Sequence, residues 1–79
     1  MHMDKLKIYN QNITLVDQVE DKLLNYFKEN DLRTGDSIPN ELELAAALGV
    51  ARNVLREALS RLKMMGMVES RTRRGMILT

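Results

Sequence analysis

Apolar residues recur at helical spacing in the first part of the chain. After a cap at Asn12 or Thr14 they lie three and four positions apart as far as Phe27, with charged residues between them. This spacing puts the apolar side chains on one face, so it predicts an amphipathic helix of about four turns. The helix is expected to end near Asn30-Asp31, where the apolar spacing stops.

Two further helices are predicted close together. Asn40, with Glu43 three residues later, resembles a capping box and opens a short helix, which Gly49 closes. The next helix begins at about Arg52, shows the same apolar spacing, and ends at Gly66.

Beyond Gly66 the pattern changes to short strand-like runs. Residues 67–71 and 76–79 are two such runs, and the polar segment 72–75 between them contains a glycine. They predict a β-hairpin with arginines at its tip. The segment 37–39 is too short to form anything but an extended link. The fold class is therefore mainly α with a small β-hairpin, and the order of elements is that of a winged helix-turn-helix.

The apolar positions of these elements define an expected core. It consists of Val16, Val19, Leu23, Phe27, Ile38, Leu44, Leu48, Leu55, Leu59, Leu62, Val68 and Ile77. Met64, Met65 and Met67 are expected to fill gaps where the third helix meets the hairpin. The alanines at 45–47 are expected to allow close packing between the second and third helices.

Composition narrows the classes of function. The 79 residues make one small domain, and the absence of cysteine excludes disulfides and thiolate metal sites. The one histidine lies in Met1-His2-Met3, which we interpret as a cloning remnant. We therefore predict no metal, no cofactor and no enzyme. No uncharged stretch approaches the ~20 residues of a membrane helix, so a cytoplasmic location is expected.

Charge is segregated along the chain. Residues 1–50 carry five Lys or Arg against nine Asp or Glu, a net of −4, whereas residues 51–79 carry seven against two, a net of +5. Six of those seven are arginine, whose planar guanidinium suits phosphates and guanine edges. This pattern predicts a face for a polyanion, with a solvated basic face as the alternative. Arg61 and Lys63 are expected to face solvent.

The start of the third helix carries the candidate chemistry. The second and third predicted helices would form a helix-turn-helix. In this motif the earlier helix braces the later one, whose N-terminal residues enter the major groove. Arg52, Asn53 and Arg56 lie there, suited to guanine, adenine or phosphate. The alternative is a surface pair in which Arg56 bonds Glu41 or Glu57. The alternative function is a winged-helix protein-interaction module whose arginine face binds an acidic partner.

A spaced string of residues resembles the DNA-binding domain of GntR-type bacterial transcription regulators. It comprises residues 35–41, Leu44-Ala45, residues 48–50, Arg52, Val54 or Leu55, residues 56–59, Leu62, Gly66 and Arg74-Gly75. Residues 15–19 are similar to the FadR-like branch. The resemblance covers roughly Ile13 to Leu78, nearly the whole chain.

The resemblance implies DNA contacts from the start of the second helix, the start of the third helix and the wing tip. The matching residues are Asn40, Glu41, Arg52, Asn53, Arg56, Arg73, Arg74 and Gly75. It further implies a double-stranded, short palindromic operator, a homodimeric full-length repressor or activator, and a small-molecule effector bound by a C-terminal domain absent here. Residues 1–11 are then a tag remnant and arm, and residues 12–79 the DNA-binding domain.

Two positions depart from the family pattern. Leu42 stands where the family often has arginine, and Ala51 where it usually has serine or threonine. The first change removes a charge-assisted contact and the second removes a helix cap. We therefore expect weaker DNA binding, or a shifted sequence preference, compared with a typical relative.

Overall fold

The computed structural model describes residues 14–73 and 75–79. This part contains the helices α1 (Leu15–Glu29), α2 (Glu41–Leu48) and α3 (Arg52–Met64), and the strands β1 (Ser37–Ile38), β2 (Val68–Arg71) and β3 (Gly75–Leu78). The strands form an antiparallel sheet in the order β1-β3-β2. The interpretation of residues 1–11 as remnant and arm, the candidate cap Asn12, and Arg74 lie outside the described residues.

The helix starts follow from their caps. The Oγ1 atom of Thr14 accepts a hydrogen bond from the backbone N–H of Asp17 at 3.1 Å, and the Asp17 carboxylate accepts one from the N–H of Thr14 at 2.9 Å. This capping box opens α1. At α2, the side chain of Asn40 accepts from the N–H of Glu43 at 2.8 Å. Ala51 occupies the cap position of α3 without a side-chain hydrogen bond.

The core lies where α1 and α3 pack together, with α2 and the sheet against them. Every predicted core residue is buried except Leu48, which is half-buried because it is the last residue of α2. Ala45 and Ala58 are also buried. The prediction that the alanines at 45–47 all allow close packing between α2 and α3 is wrong for Ala46 and Ala47, because both are exposed. Successive residues of a helix point about 100° apart, so three in a row cannot share one face.

The sheet contains one strand more than the predicted hairpin. Strand β2 pairs with β3 along its whole length, which confirms the hairpin. Strand β1 pairs with the other edge of β3, where Ile38 lies opposite Met76, and the N–H of Leu78 donates to the carbonyl of Asp36 at 3.0 Å. The interpretation of residues 37–38 as only a link was therefore wrong. A run too short to indicate a strand becomes one because a partner edge satisfies its backbone.

The end of α3 differs from the expected packing. Met64 is 87% exposed and Met65 is 55% exposed, so the interpretation of both as core residues was wrong. Met67 is half-buried against the core, as predicted. The buried stripe of α3 ends at Leu62. Met64 lies on the other side of the helix. Met65 is three residues after Leu62 and so at helical spacing, but it is the C-cap residue with which the helix ends.

Arg61 joins α3 to α1 instead of facing solvent. One guanidinium nitrogen bonds the carboxylate of Asp17 at 2.6 Å and that of Glu20 at 2.8 Å. The backbone N–H of Thr14 and then the Arg61 guanidinium hold the pKa of Asp17 below its usual value. Hydrogen bonds to Glu20 and Asp17 raise the pKa of Arg61. Lys63 is exposed as expected.

Candidate nucleic-acid interface

Glu41 connects the start of α2 to the start of α3. Its Oε1 atom lies 3.3 Å from Nε of Arg56 and 3.7 Å from a terminal nitrogen of Arg52. The two arginines are one helical turn apart and therefore share a face. Of the acceptors considered for Arg56, the structure selects Glu41. Three predicted site residues, Glu41, Arg52 and Arg56, thus form one group, which we call the Glu41 cluster.

The arginines of this cluster remain accessible. Their side chains are 54% exposed for Arg52 and 59% exposed for Arg56, and Asn53 beside them is exposed as well. An ion pair exposed to this degree contributes only ~0–1 kcal/mol to stability. Each guanidinium carries five N–H donors, and one carboxylate oxygen satisfies few of them. The cluster therefore keeps donors for an external acceptor.

The wing supplies further predicted residues. Arg73 is exposed in the turn between β2 and β3, and Arg74 lies outside the described residues. Gly75 has a φ of 74°, a left-handed conformation that a residue with a side chain adopts only with strain. On β2, Arg71 bonds Glu69 at 3.2 Å. Because of its positive φ value, position 75 favours glycine, and the turn depends on it.

A cleft of about 390 Å³ joins the start of α2 to the wing. Its lining residues are Ile38, Asn40, Glu41, Lys63, Ser70, Arg71, Gly75 and Met76. It brings together three predicted site residues from two distant parts of the chain, namely Asn40, Glu41 and Gly75. Arg52, Asn53, Arg56 and Arg73 do not line it, although Glu41 links Arg52 and Arg56 to its edge.

Three cleft residues were missed by the sequence reasoning. Ser70 and Arg71 were assigned only to a strand, and Lys63 only to a solvated surface. The signal for Lys63 was its spacing, because it follows Arg52 by eleven residues, which is about three turns of helix. Among the described residues no group of His, Cys, Asp and Glu is arranged to hold a metal ion. No helix in this part of the chain has the length and apolar character needed to cross a bilayer.

The sequence matches a known family. The family model described as bacterial regulatory proteins, gntR family, matches residues 15–78, which is most of the chain. The chain belongs to the GntR family. A GntR protein from Streptococcus agalactiae has a similar structure, with a TM-score of 0.76 and 37% identity over 82% of this chain and 32% of that one.

The GntR relatives are much longer than this chain. The uncharacterized HTH-type transcriptional regulator YcbG of Bacillus subtilis is 40% identical over 74 residues, which are 92% of this chain and 32% of YcbG. The chain thus spans about a third of the curated relative's length.

A structural neighbour of this chain has been solved with DNA. The DNA-binding domain of AraR in complex with operator ORR3 has a TM-score of 0.69 and 25% identity, over 81% of this chain and 77% of that one. The chain is therefore a GntR-family winged helix-turn-helix DNA-binding domain, as its three helices and three-stranded antiparallel sheet indicate.

Proposed function

We propose that the chain reads double-stranded DNA in a sequence-specific manner. In this proposal α3 enters the major groove and the wing lies on the flanking groove or backbone. The observation that carries it is the cluster at the start of α3, where Glu41 holds Arg52 and Arg56 on one exposed face beside Asn53. The operator complex of the AraR domain supports the choice of duplex DNA as the partner.

The residue types suit distinct parts of the duplex. Arg52 and Arg56 are matched to guanine, to which arginine donates two hydrogen bonds, and Asn53 is matched to adenine. Asn40 at the start of α2, with the wing-tip residues Arg73, Arg74 and Gly75, suits phosphates and sugars, whose contacts set position and not sequence preference. Glu41 contributes to the interface by its contact with both arginines.

The longer protein implied by the relatives is part of the proposal. We infer a homodimeric, metabolite-responsive bacterial transcription regulator, active in the cytoplasm on a short palindromic operator. The relatives' greater length leaves room for a domain that dimerises and binds a small-molecule effector. Leu15–Val19 supports placing the chain in the FadR-like branch. As repressor or activator, it would bind its operator through the residues named above.

Fluorescence anisotropy with duplexes selected from a randomised pool tests this function. Arg52→Ala and Arg56→Ala should each weaken binding to the selected duplex by about 5- to 150-fold, the usual range for a base contact. Lys28→Ala, an exposed change at the end of α1, is the matched control and should leave affinity within about twofold. Binding that neither arginine variant alters would reduce the interface to a basic surface and contradict the proposal.

A further inference from the structure

We propose that the cleft between α3 and the wing is a binding site for one phosphate of the DNA backbone, with Lys63 as its principal cation and Ser70 and Arg71 on the opposite wall. The inference rests on the proposed DNA-binding function and adds a backbone site to the base-reading cluster. These three cleft residues belong to none of the contact positions expected from the family pattern.

Lys63 extends the exposed face of α3 that begins at Arg52. Lys63 follows Arg52 by eleven positions, which is about three turns, so both side chains leave the helix on the side that also carries Arg56. They are separated along the axis by about 16 Å. The major groove is only about 8.5 Å deep. When the first turn of α3 reaches base edges, Lys63 therefore lies outside the floor of the groove, on the side where the phosphates line its rim.

Lys63 is also the unpaired cation of α3 within the described part of the chain. Arg52 and Arg56 share Glu41, and Arg61 is held by two carboxylates of α1. Among residues 14–73 and 75–79, no carboxylate lies within ion-pair distance of the Lys63 ammonium group. The negative charge of Glu41 in the cleft is offset by its two arginines, so it does not cancel the attraction of Lys63 for an anion.

The wing provides the opposite wall of the site. Ser70 carries a hydroxyl donor, and Arg71 uses one terminal nitrogen to bond Glu69 at 3.2 Å while its side chain stays 53% exposed. Its other guanidinium donors are available to an acceptor. Gly75, also in the cleft wall, has no side chain to obstruct an approaching strand. A phosphate between α3 and β2 would thus meet donors from both sides.

A salt series with a labelled mixed-sequence 20-base-pair duplex tests the site. Log K falls by about 0.9 for each phosphate neutralised per unit of log salt concentration. Lys63→Ala should therefore make the slope shallower by about 0.9 and weaken low-salt binding equally for a second duplex of different sequence. Lys63→Arg should keep the parent slope, and Lys22→Ala, an exposed change on α1, should have no effect.

Replacing single phosphates with neutral methylphosphonates locates the contact. The parent should lose affinity when one particular phosphate is replaced, whereas Lys63→Ala should be insensitive at that position and normal at all others. This measurement uses a duplex selected by the parent protein. Loss of sensitivity spread over many positions would overturn the assignment to one site.

Other outcomes separate this inference from the function on which it rests. A cation in the last turn of a helix also stabilises the helix dipole. A lower melting temperature for Lys63→Ala with an unchanged salt slope would give Lys63 that role alone and overturn the phosphate site. The proposed function would survive that result if Arg52→Ala and Arg56→Ala still weaken binding to the selected duplex. A parent protein that binds no duplex would overturn both.

Discussion

At the scale of single residues, the Glu41 carboxylate has two opposing effects on an approaching duplex. It adds negative charge beside the DNA, which opposes binding to any sequence. It also restrains the guanidinium groups of Arg52 and Arg56, which lie 3.7 and 3.3 Å from one of its oxygens. Side chains held in place lose less conformational entropy when they meet their base edges. In the proposed interface, Glu41 is therefore expected to favour discrimination between sequences over raw affinity.

Glu41→Gln is expected to raise affinity for a mixed-sequence duplex and to lower the ratio of selected-duplex to mixed-duplex affinity. The stability change should stay below about 1 kcal/mol, because the ion pairs are exposed. Anisotropy titrations with both duplexes measure the ratio. Glu43→Gln, an exposed change in the same first turn, is the control. A loss of affinity confined to the selected duplex would instead assign Glu41 a direct base contact.

Ala51→Ser is expected to raise the free energy of unfolding by about 1 kcal/mol, since Ala51 occupies the cap position of α3 with an extended backbone but no side-chain acceptor. Urea denaturation measures the change. Ala47→Ser, an exposed substitution inside α2, controls for the hydroxyl itself and should be neutral or slightly destabilising. Equal effects at both positions would show that no cap forms. A gain in DNA affinity for Ala51→Ser alone is also expected.

Leu42→Arg is expected to strengthen binding to duplex DNA and to steepen its salt dependence by about 0.9. Leu42 is 62% exposed in the first turn of α2, so a guanidinium there reaches solvent beside the Glu41 cluster. The matched control is Leu15→Arg, because Leu15 is 58% exposed at the start of α1. A similar gain from both variants would mean that added charge, and not its position, is responsible.

At the scale of elements, the sequence predicts what depends on local pattern and misses what depends on tertiary partners. The three helices and the hairpin follow from spacing, caps and glycines, all of which are local. Strand β1 exists only because β3 offers it an edge. Arg61 has the pattern of a solvated arginine, and only the packing of α1 against α3 brings it to Asp17 and Glu20. The cleft around Lys63 likewise requires the wing to fold back beside α3.

The ion-pair cluster of Arg61 makes stability depend on pH through Asp17. The folded pKa of Asp17 is depressed, so its contribution is fully present above the unfolded value of about 3.9 and is lost as pH falls through the lower folded value. Asp17→Asn keeps an acceptor oxygen for the cap but removes the charge. The stability difference between parent and Asp17→Asn should therefore be largest near neutral pH and shrink below about pH 4.

Urea denaturation at a series of pH values measures this difference. Asp21→Asn is the control, because Asp21 lies exposed on the same helix and has no ion pair among the described residues. The Asp21 difference should change little over the same pH range. A difference for Asp17→Asn that persists unchanged at pH 3 would show that the charge of Asp17 does not stabilise the fold.

At the scale of the whole molecule, the fold brings residues from three parts of the sequence into one neighbourhood. The α2–α3 turn places Glu41 beside Arg52 and Arg56, and the hairpin returns Gly75 to the cleft that Asn40 borders. The sequence-based resemblance named these positions, but their mutual geometry follows from the packing of α2, α3 and the sheet. One such domain presents one α3, so on the palindromic operator proposed above it would read one half-site.

Joining two domains is therefore expected to raise operator affinity without adding a contact. A parallel dimeric coiled coil, fused after Thr79 through a flexible Gly/Ser linker, converts the second half-site into an intramolecular binding event. The expected gain is about 10²- to 10⁴-fold when the linker spans the half-site separation. Thr79 is bonded to Gly66 and Met67 just after the end of α3, whereas the Glu41 cluster lies at the start of α3, so the fusion leaves that cluster open.

The control for this fusion carries polar substitutions at the apolar positions of the coiled coil and stays monomeric. Its affinity should equal that of the unfused chain. Half-site spacing supplies a second control, because one base pair inserted between half-sites rotates them by about a tenth of a turn and five by about half a turn. The gain should largely survive the first insertion and fall sharply with the second when the linker is short. A gain independent of spacing would mean that the two domains bind DNA without recognising a palindrome.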